Sequence, residues 1–419
     1  HPNLYLYSQA QELDAFFDSL MQQLPPEMSA SEAYVLLTPV CSIIKDGHTL
    51  IFPAGSETEY HNRESGFFPF KIYWKDQRMY VELNYTREIE IADGTEILEI
   101  NGARVPDIMT FILTRMMRDG YNQTYPVWVL NNWFNEYYSY FYGHPGTFEL
   151  KCRMSDGSVE TKKIPALKKQ DMFANRVRNY PQRLFEKRPG EGITLEINDS
   201  LKTAILVIRD FHKQVLKKVY KQDFGKTLRH YFARIQASGV AHLVLDIRNN
   251  QGGDIENGKI LLAYLMSEPF SLVSAYFKVK NPAATADTRI GKCKGPSLGV
   301  HKPKTDAFKG KLYVLINGGS FSNSGIVSSA LQHYKRAVFI GEESGGNRDI
   351  IAGDVKYKQL PNTKIKVEIP TLQFLLRQNE GHLGKGVIPD YWLNPSVEDL
   401  IKGRDIVTNF ALELIKKSR

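Results

Sequence analysis

The stretch His242-Leu243-Val244-Leu245-Asp246-Ile247-Arg248-Asn249-Asn250-Gln251-Gly252-Gly253 decides how this chain reads. Residues 242–247 are mostly apolar, and the run is too short for a stable helix. Closed by a polar corner with two glycines, it has the pattern of a strand buried on both faces. A helical pattern follows at 255–266. The same unit recurs downstream. Residues 311–316 make a second apolar strand, then come Asn317-Gly318-Gly319-Ser320-Phe321-Ser322-Asn323-Ser324 and a helix over 326–334. A further strand, 337–340, ends in Gly341-Glu342-Glu343-Ser344-Gly345-Gly346. Upstream, 203–208 reads as strand and 215–238 as a long helix. This alternation predicts an α/β architecture whose strand-end loops are free to carry chemistry.

The regions before it differ. Residues 1–50 read as helical: Leu13, Phe16, Phe17, Leu20, Met21 and Leu24 share one helical face, and Pro25-Pro26 stops it. Residues 66–166 read as short strands, such as 67–74, 79–83, 96–100, 148–154 and 159–164, around turns such as Asp93-Gly94, Asn101-Gly102 and Asp156-Gly157, so a small strand-rich module is expected there. Residues 167–200 are basic, broken by Pro181 and Pro189-Gly190, and read as a connector. The division that follows is a helical cap over 1–62, a β-rich module over 63–170 and an α/β core over 171–419.

With 419 residues the chain is long enough for two to four domains and a sizeable core. Its 42% hydrophobic and 24% charged residues are ordinary globular usage. The net charge of +8 invites a nucleic-acid reading, but the basic residues are dispersed as pairs, such as Lys162-Lys163 and Lys217-Lys218, without a zinc-finger or RNA-binding signature. A solvated basic surface accounts for them. Cys41, Cys152 and Cys293 are isolated, which disfavours a disulfide framework and a zinc site. No apolar run is long enough to span a membrane. The chain begins at His1 rather than methionine, which leads us to expect that a leader has been removed.

Two strand-to-helix corners share one design. Glycine-rich backbone followed by a helix N-terminus points N–H groups outward and favours an anion or a developing oxyanion. No Walker lysine follows either corner, so a nucleotide loop is excluded. The second corner presents Ser322 at a helix start, where a serine is most often an N-cap but can also be a nucleophile.

Taken together, these segments resemble the tail-specific (C-terminal processing) serine peptidases of family S41. The 243–253 segment resembles that family's strand and glycine corner, and 316–324 its nucleophile segment. Residues 341–346 resemble the next block, and Gly386-Val387-Ile388-Pro389-Asp390 the closing motif. Gly94-Thr95-Glu96-Ile97-Leu98-Glu99-Ile100-Asn101-Gly102 is similar to the PDZ-like domain these peptidases carry. The Ser-Lys branch has a lysine where this chain has Asn347, and the neighbouring Arg348 stays protonated and cannot act as a base. Gly325, often acidic in that branch, is a further departure. Asp46-Gly47-His48-Thr49 is similar to the histidine motif of the tricorn-like branch.

The resemblance implies a crotonase-like α/β catalytic core and a PDZ-like module. It implies Ser322 as nucleophile and His48 as general base, with backbone N–H groups of Gly252 or Gly253 and of Asn323 holding the oxyanion. Glu380 is the expected orienting acid, with Glu342 and Asp349 as rivals, while Asp46, adjacent to the histidine, is expected to cap or orient its loop. Gly66-Phe67-Phe68 lie where a carboxylate-binding loop would be, or else in the core. The expected partner is an extended or tail-exposed polypeptide, with no cofactor, metal or nucleic acid, in the bacterial periplasm or envelope. The alternative is an inactive scaffold that binds peptides or apolar ligands.

Overall fold

The computed structural model describes residues 1–87, 91–183, 187–281, 289–376 and 384–418. Its centre is a six-stranded sheet in the order Tyr391–Trp392, Ala337–Gly341, Lys311–Ile316, His242–Asp246, Thr203–Ile208, Ile193–Asn198. All neighbours run parallel except the last pair. The apolar run that opened the sequence reading lies in the middle, with Leu245 opposite Val314 on one side and Leu206 on the other.

Both of its faces are covered. Leu243 and Leu245 pack with residues of helices Phe224–Ala237, Ile255–Leu265 and Asn323–His333. Val244 points the other way, onto Val407, Ala411 and Ile415 of helix Ile406–Lys417. Successive strand residues face opposite sides, so a sheet with helices on both faces needs an uninterrupted apolar strand. Arg248, at the strand's end, bonds Asp246 (2.6 Å) and Asp405 (2.8 Å), tying the helix on the second face to the start of the glycine corner.

The β-rich module is an antiparallel sheet in the order Phe70–Lys75, Arg78–Asn84, Glu96–Ile100, Thr147–Arg153, Val159–Pro165, with Ala103–Arg104 paired to Glu96–Ile100. In Thr147–Arg153 the alternate residues Phe148, Leu150 and Cys152 are buried, as the period of two predicts. Helices Val105–Leu113 and Thr124–Tyr142 cover this sheet.

Two boundaries differ from the sequence expectation. The connector beginning at 167 contains helix Lys169–Asn179, whose Met172 packs with Phe67, Leu83 and Tyr85, so this segment belongs to the β-rich module rather than to the core. The mostly helical N-terminal 62 residues are also joined to the rest through a sheet. Their strand Leu50–Phe52 pairs antiparallel with Lys366–Leu375 (Leu50 opposite Glu368), in a second sheet that also holds Ala275–Val279, Ile290–Cys293 and Ile350–Gln359. Leu50-Ile51-Phe52 already reads as strand-like in the sequence; what the structure adds is the long partner strand that receives it. This pairing anchors the chain just after His48 to the strand Lys366–Leu375, more than 300 residues further on.

Candidate active site

The two corners are locked to each other. The Ser324 hydroxyl donates to Asn250 O (2.6 Å), the Ser320 hydroxyl donates to Ile247 O (2.9 Å), and Phe321 N–H donates to Asn250 O (3.2 Å). Gly252, at φ +98°, is pressed against the second corner: a Cβ there would lie 2.7 Å from both the Asn323 nitrogen and the Ser322 Cβ. Only a residue without a side chain fits both that dihedral and that contact.

Ser322 opens helix Asn323–His333 with φ 54° and ψ −118°, a conformation costly for a residue with a Cβ. Its hydroxyl makes no capping bond to the helix, so the ordinary role of a serine at this position does not apply. The strained turn lifts the side chain out of the corner, as a nucleophile elbow does. It faces His48, whose Nε2 lies 3.1 Å from Ser322 Oγ.

His48 sits on the turn after helix Pro39–Ile44, where Lys45 takes a left-handed conformation and Asp46 Oδ1 accepts from His48 N–H (2.9 Å). The imidazole stacks on Phe321 at 4.7 Å between centroids, and Phe321 stacks on Tyr125 at 4.1 Å. Burial holds the ring below the usual histidine range, against the opposing pull of Asp46. The imidazole is therefore neutral near pH 7 and able to take a proton. Its Nδ1 is buried and has no partner among the described residues.

Asp46 is fully enclosed. Burial disfavours its charge, but hydrogen bonding to His1 and the charges of His1 and His48 win, and its carboxyl is held below the usual value. Asp46, His48 and Asp119 each offer a ligating atom within 4.8 Å of the others. The carboxylate oxygens already accept N–H groups of the loop, at His48 and Gly47, so this cluster acts to shape the histidine turn.

Not every expected residue falls into place. Glu380 lies outside the described residues. Of its rivals, Glu342 sits by Lys75 of the β-rich module, pushed up to about 7 by burial, and Asp349 is enclosed next to Arg348 (3.6 Å). The Gly252 N–H is not free for an oxyanion, because it donates to Asn250 Oδ1 (2.9 Å). Among the described residues, the N–H groups of Gly253 and Asn323 find no protein acceptor, so these two remain available. Phe68 is core, packed on Phe70, Phe134 and Phe148. Phe67 N–H donates to Leu167 O (2.8 Å) and Gly66 O is taken by His144, so the Gly66–Phe68 backbone is no open carboxylate cradle.

Asp119 was not found from the sequence. Its Oδ1 accepts from Gly47 N–H (2.7 Å) and its Oδ2 from Asn347 N–H (3.0 Å). As Asp119-Gly120 it carries the signature of an ordinary turn, and nothing local points to the catalytic loops.

With this geometry in view, likeness to known proteins is informative. Residues 202–393 match the model of peptidase family S41, and the chain carries an S41 peptidase domain across them. A carboxy-terminal-processing protease of Bartonella bacilliformis is 26% identical over 184 residues, a match that takes in 44% of this chain and spans 38% of that relative's length. Among solved structures, mature CPAF superposes with a TM-score of 0.69 at 17% identity, covering 97% of this chain and 92% of that one. A peptidase candidate from Parabacteroides merdae gives 0.53 at 14% identity, with 99% and 92% covered. These two likenesses are of fold. No described helix is long and apolar enough to cross a membrane.

The lowered basicity of His48 has a testable consequence. A histidine that acts as base on Ser322 must be neutral, so with its pKa lowered by burial the reactivity of Ser322 should persist to a pH below the ordinary histidine value of about 6.5 before it falls. The rate of covalent labelling of Ser322 against pH measures this. A midpoint above 7 would contradict the burial argument.

Proposed function

We propose that this chain is a serine endopeptidase that hydrolyses peptide bonds in extended or tail-exposed polypeptides through an acyl-enzyme. The observation that carries the reading is the 3.1 Å approach of His48 Nε2 to a strained, uncapped Ser322 hydroxyl. In this mechanism Ser322 Oγ attacks the scissile carbonyl carbon while His48 Nε2 takes its proton. The N–H groups of Gly253 and Asn323 hold the oxyanion. His48 then protonates the leaving amine, and water, activated by the same imidazole, releases the acyl group.

Glu380 is proposed as the acid that receives His48 Nδ1–H, the atom left without a partner among the described residues. We further read the central sheet as a crotonase-like core, the β-rich module as PDZ-like and the setting as the bacterial envelope, all on the family resemblance. A fluorophosphonate probe is expected to label wild-type protein at Ser322, and Ser322→Ala and His48→Ala are expected to abolish labelling. Glu380→Gln is expected to slow it by about 10⁴-fold. An unlabelled wild-type protein that binds peptides tightly would instead establish the scaffold reading.

A further inference from the structure

The β-rich module does more than sit beside the catalytic half. Residues 119–125, leading into helix Thr124–Tyr142, thread between the loops that make the site. Gly120 N–H donates to Lys45 O (2.8 Å), on the histidine turn. Tyr121 N–H donates to Gly384 O (2.8 Å), next to the closing motif. The Asn122 amide donates to Ser344 O (2.9 Å) and Glu343 Oε1 (3.0 Å), in the glycine-rich segment 341–346. Asp119 occupies the middle of this crossing and is 2% exposed.

We propose that Asp119 is a positioning residue for the Ser322–His48 pair: its two oxygens clamp the Gly47 and Asn347 amides and so hold the histidine turn against the serine corner. This rests on the peptidase reading above and adds to it that the β-rich module completes the site. Gly47 and Gly346 are shaped for the clamp. A Cβ on Gly47 would meet the Phe321 ring at 2.7 Å and Asp119 Oδ1 at 3.1 Å, and one on Gly346 would lie 3.4 Å from Asp119 Oδ2. Phe321 is the ring on which His48 stacks, so one oxygen fixes the turn beneath the imidazole while the other fixes the loop beside the nucleophile. An uncharged side chain of the same size cannot do both. An asparagine has one acceptor oxygen, and its amide would face an N–H donor with another donor.

The groups facing Asp119 are Asp46 from the histidine turn, Tyr7 from the N-terminal segment and Tyr125 from the following helix. Burial and the Asp46 charge push its carboxyl up to about 7, against the two N–H bonds. A raised folded-state value means that the folded protein holds this proton more tightly than the unfolded chain does. The associated stability therefore declines as pH rises from about 4 towards 7. Well above pH 7 the clamp is charged, and burial penalises it.

The test is Asp119→Asn in the full chain, with three readouts. Fluorophosphonate labelling should slow by about 10–100-fold, the cost of a catalytic group displaced by roughly an ångström. On unfolded casein the loss should fall on kcat, with KM within about twofold of wild type, because the clamp touches no substrate. Hydrogen exchange should accelerate at the Gly47 and Asn347 amides together. Labelling within twofold of wild type, or unchanged exchange at these two amides, overturns the proposal. Should wild-type protein take no label, the peptidase reading fails, while the exchange measurement still decides the clamp.

Discussion

Replacing Ser322 by alanine is expected to lower peptide hydrolysis by about 10⁴-fold or more, and His48→Ala by a similar factor. The double variant is expected to be no worse than either single one, because the hydroxyl is a weak nucleophile without the imidazole and the imidazole has nothing to activate without the hydroxyl. Both variants should fold. Ser322 makes no capping bond whose loss would cost stability, and its positive φ means that its backbone already pays for strain. The measurement is single-turnover cleavage of unfolded casein at pH 7.5, beside thermal melting. Hydrolysis by Ser322→Ala within tenfold of wild type would remove the proposed mechanism.

The second large effect is expected at a residue with no side chain. Gly252→Ala places a methyl group 2.7 Å from the Asn323 nitrogen and 2.8 Å from Phe321 O. These atoms belong to backbone already bonded to the other corner, so they cannot swing aside as a flexible side chain could. The corners must separate, carrying the Asn323 N–H and the Ser322 hydroxyl off their lines. A fall in kcat of about 10³-fold or more is expected, since loss of a single oxyanion donor typically costs 10²–10³. Gly157→Ala is the control. It also has positive φ, +86°, but meets nothing within 4 Å and lies in an exposed hairpin. It should cost stability alone, about 1 kcal/mol, and leave kcat unchanged. Equal loss of rate in both variants would mean that backbone strain, and not the meeting of the corners, is responsible.

Much of this site was legible before any coordinates. The apolar run 243–245, the glycine corner after it and the serine corner beyond 316 are local patterns whose cause is local: strands buried on both faces must be apolar throughout, and tight strand-to-helix turns must be glycine-rich. His48 was found because its neighbours resemble a motif. The antiparallel sheet around Lys366–Leu375 was not anticipated. Its strands alternate too weakly, with Ile350–Gln359 exposed over most of its length, and their pairing joins residues 50–52 to 366–368. Which glycine N–H is engaged, at Gly252 or Gly253, stayed open in the sequence for a similar reason, and the Gly252 N–H is the one that is taken. Its acceptor, Asn250 Oδ1, is only two residues away, but nothing in the letters Asn-Gln-Gly-Gly says which of several N–H groups that oxygen takes.

The linear order of residues determined the α/β alternation, the two corners and the chemical identities of a serine and a histidine suited to each other, because each of these depends on a neighbourhood of about ten residues. Only the tertiary structure decided that the two meet, which N–H groups are left free, and that a carboxylate from the β-rich module lies beneath them. Those facts depend on where buried polar groups find partners, and in a folded chain the partner of a buried group is often hundreds of residues away.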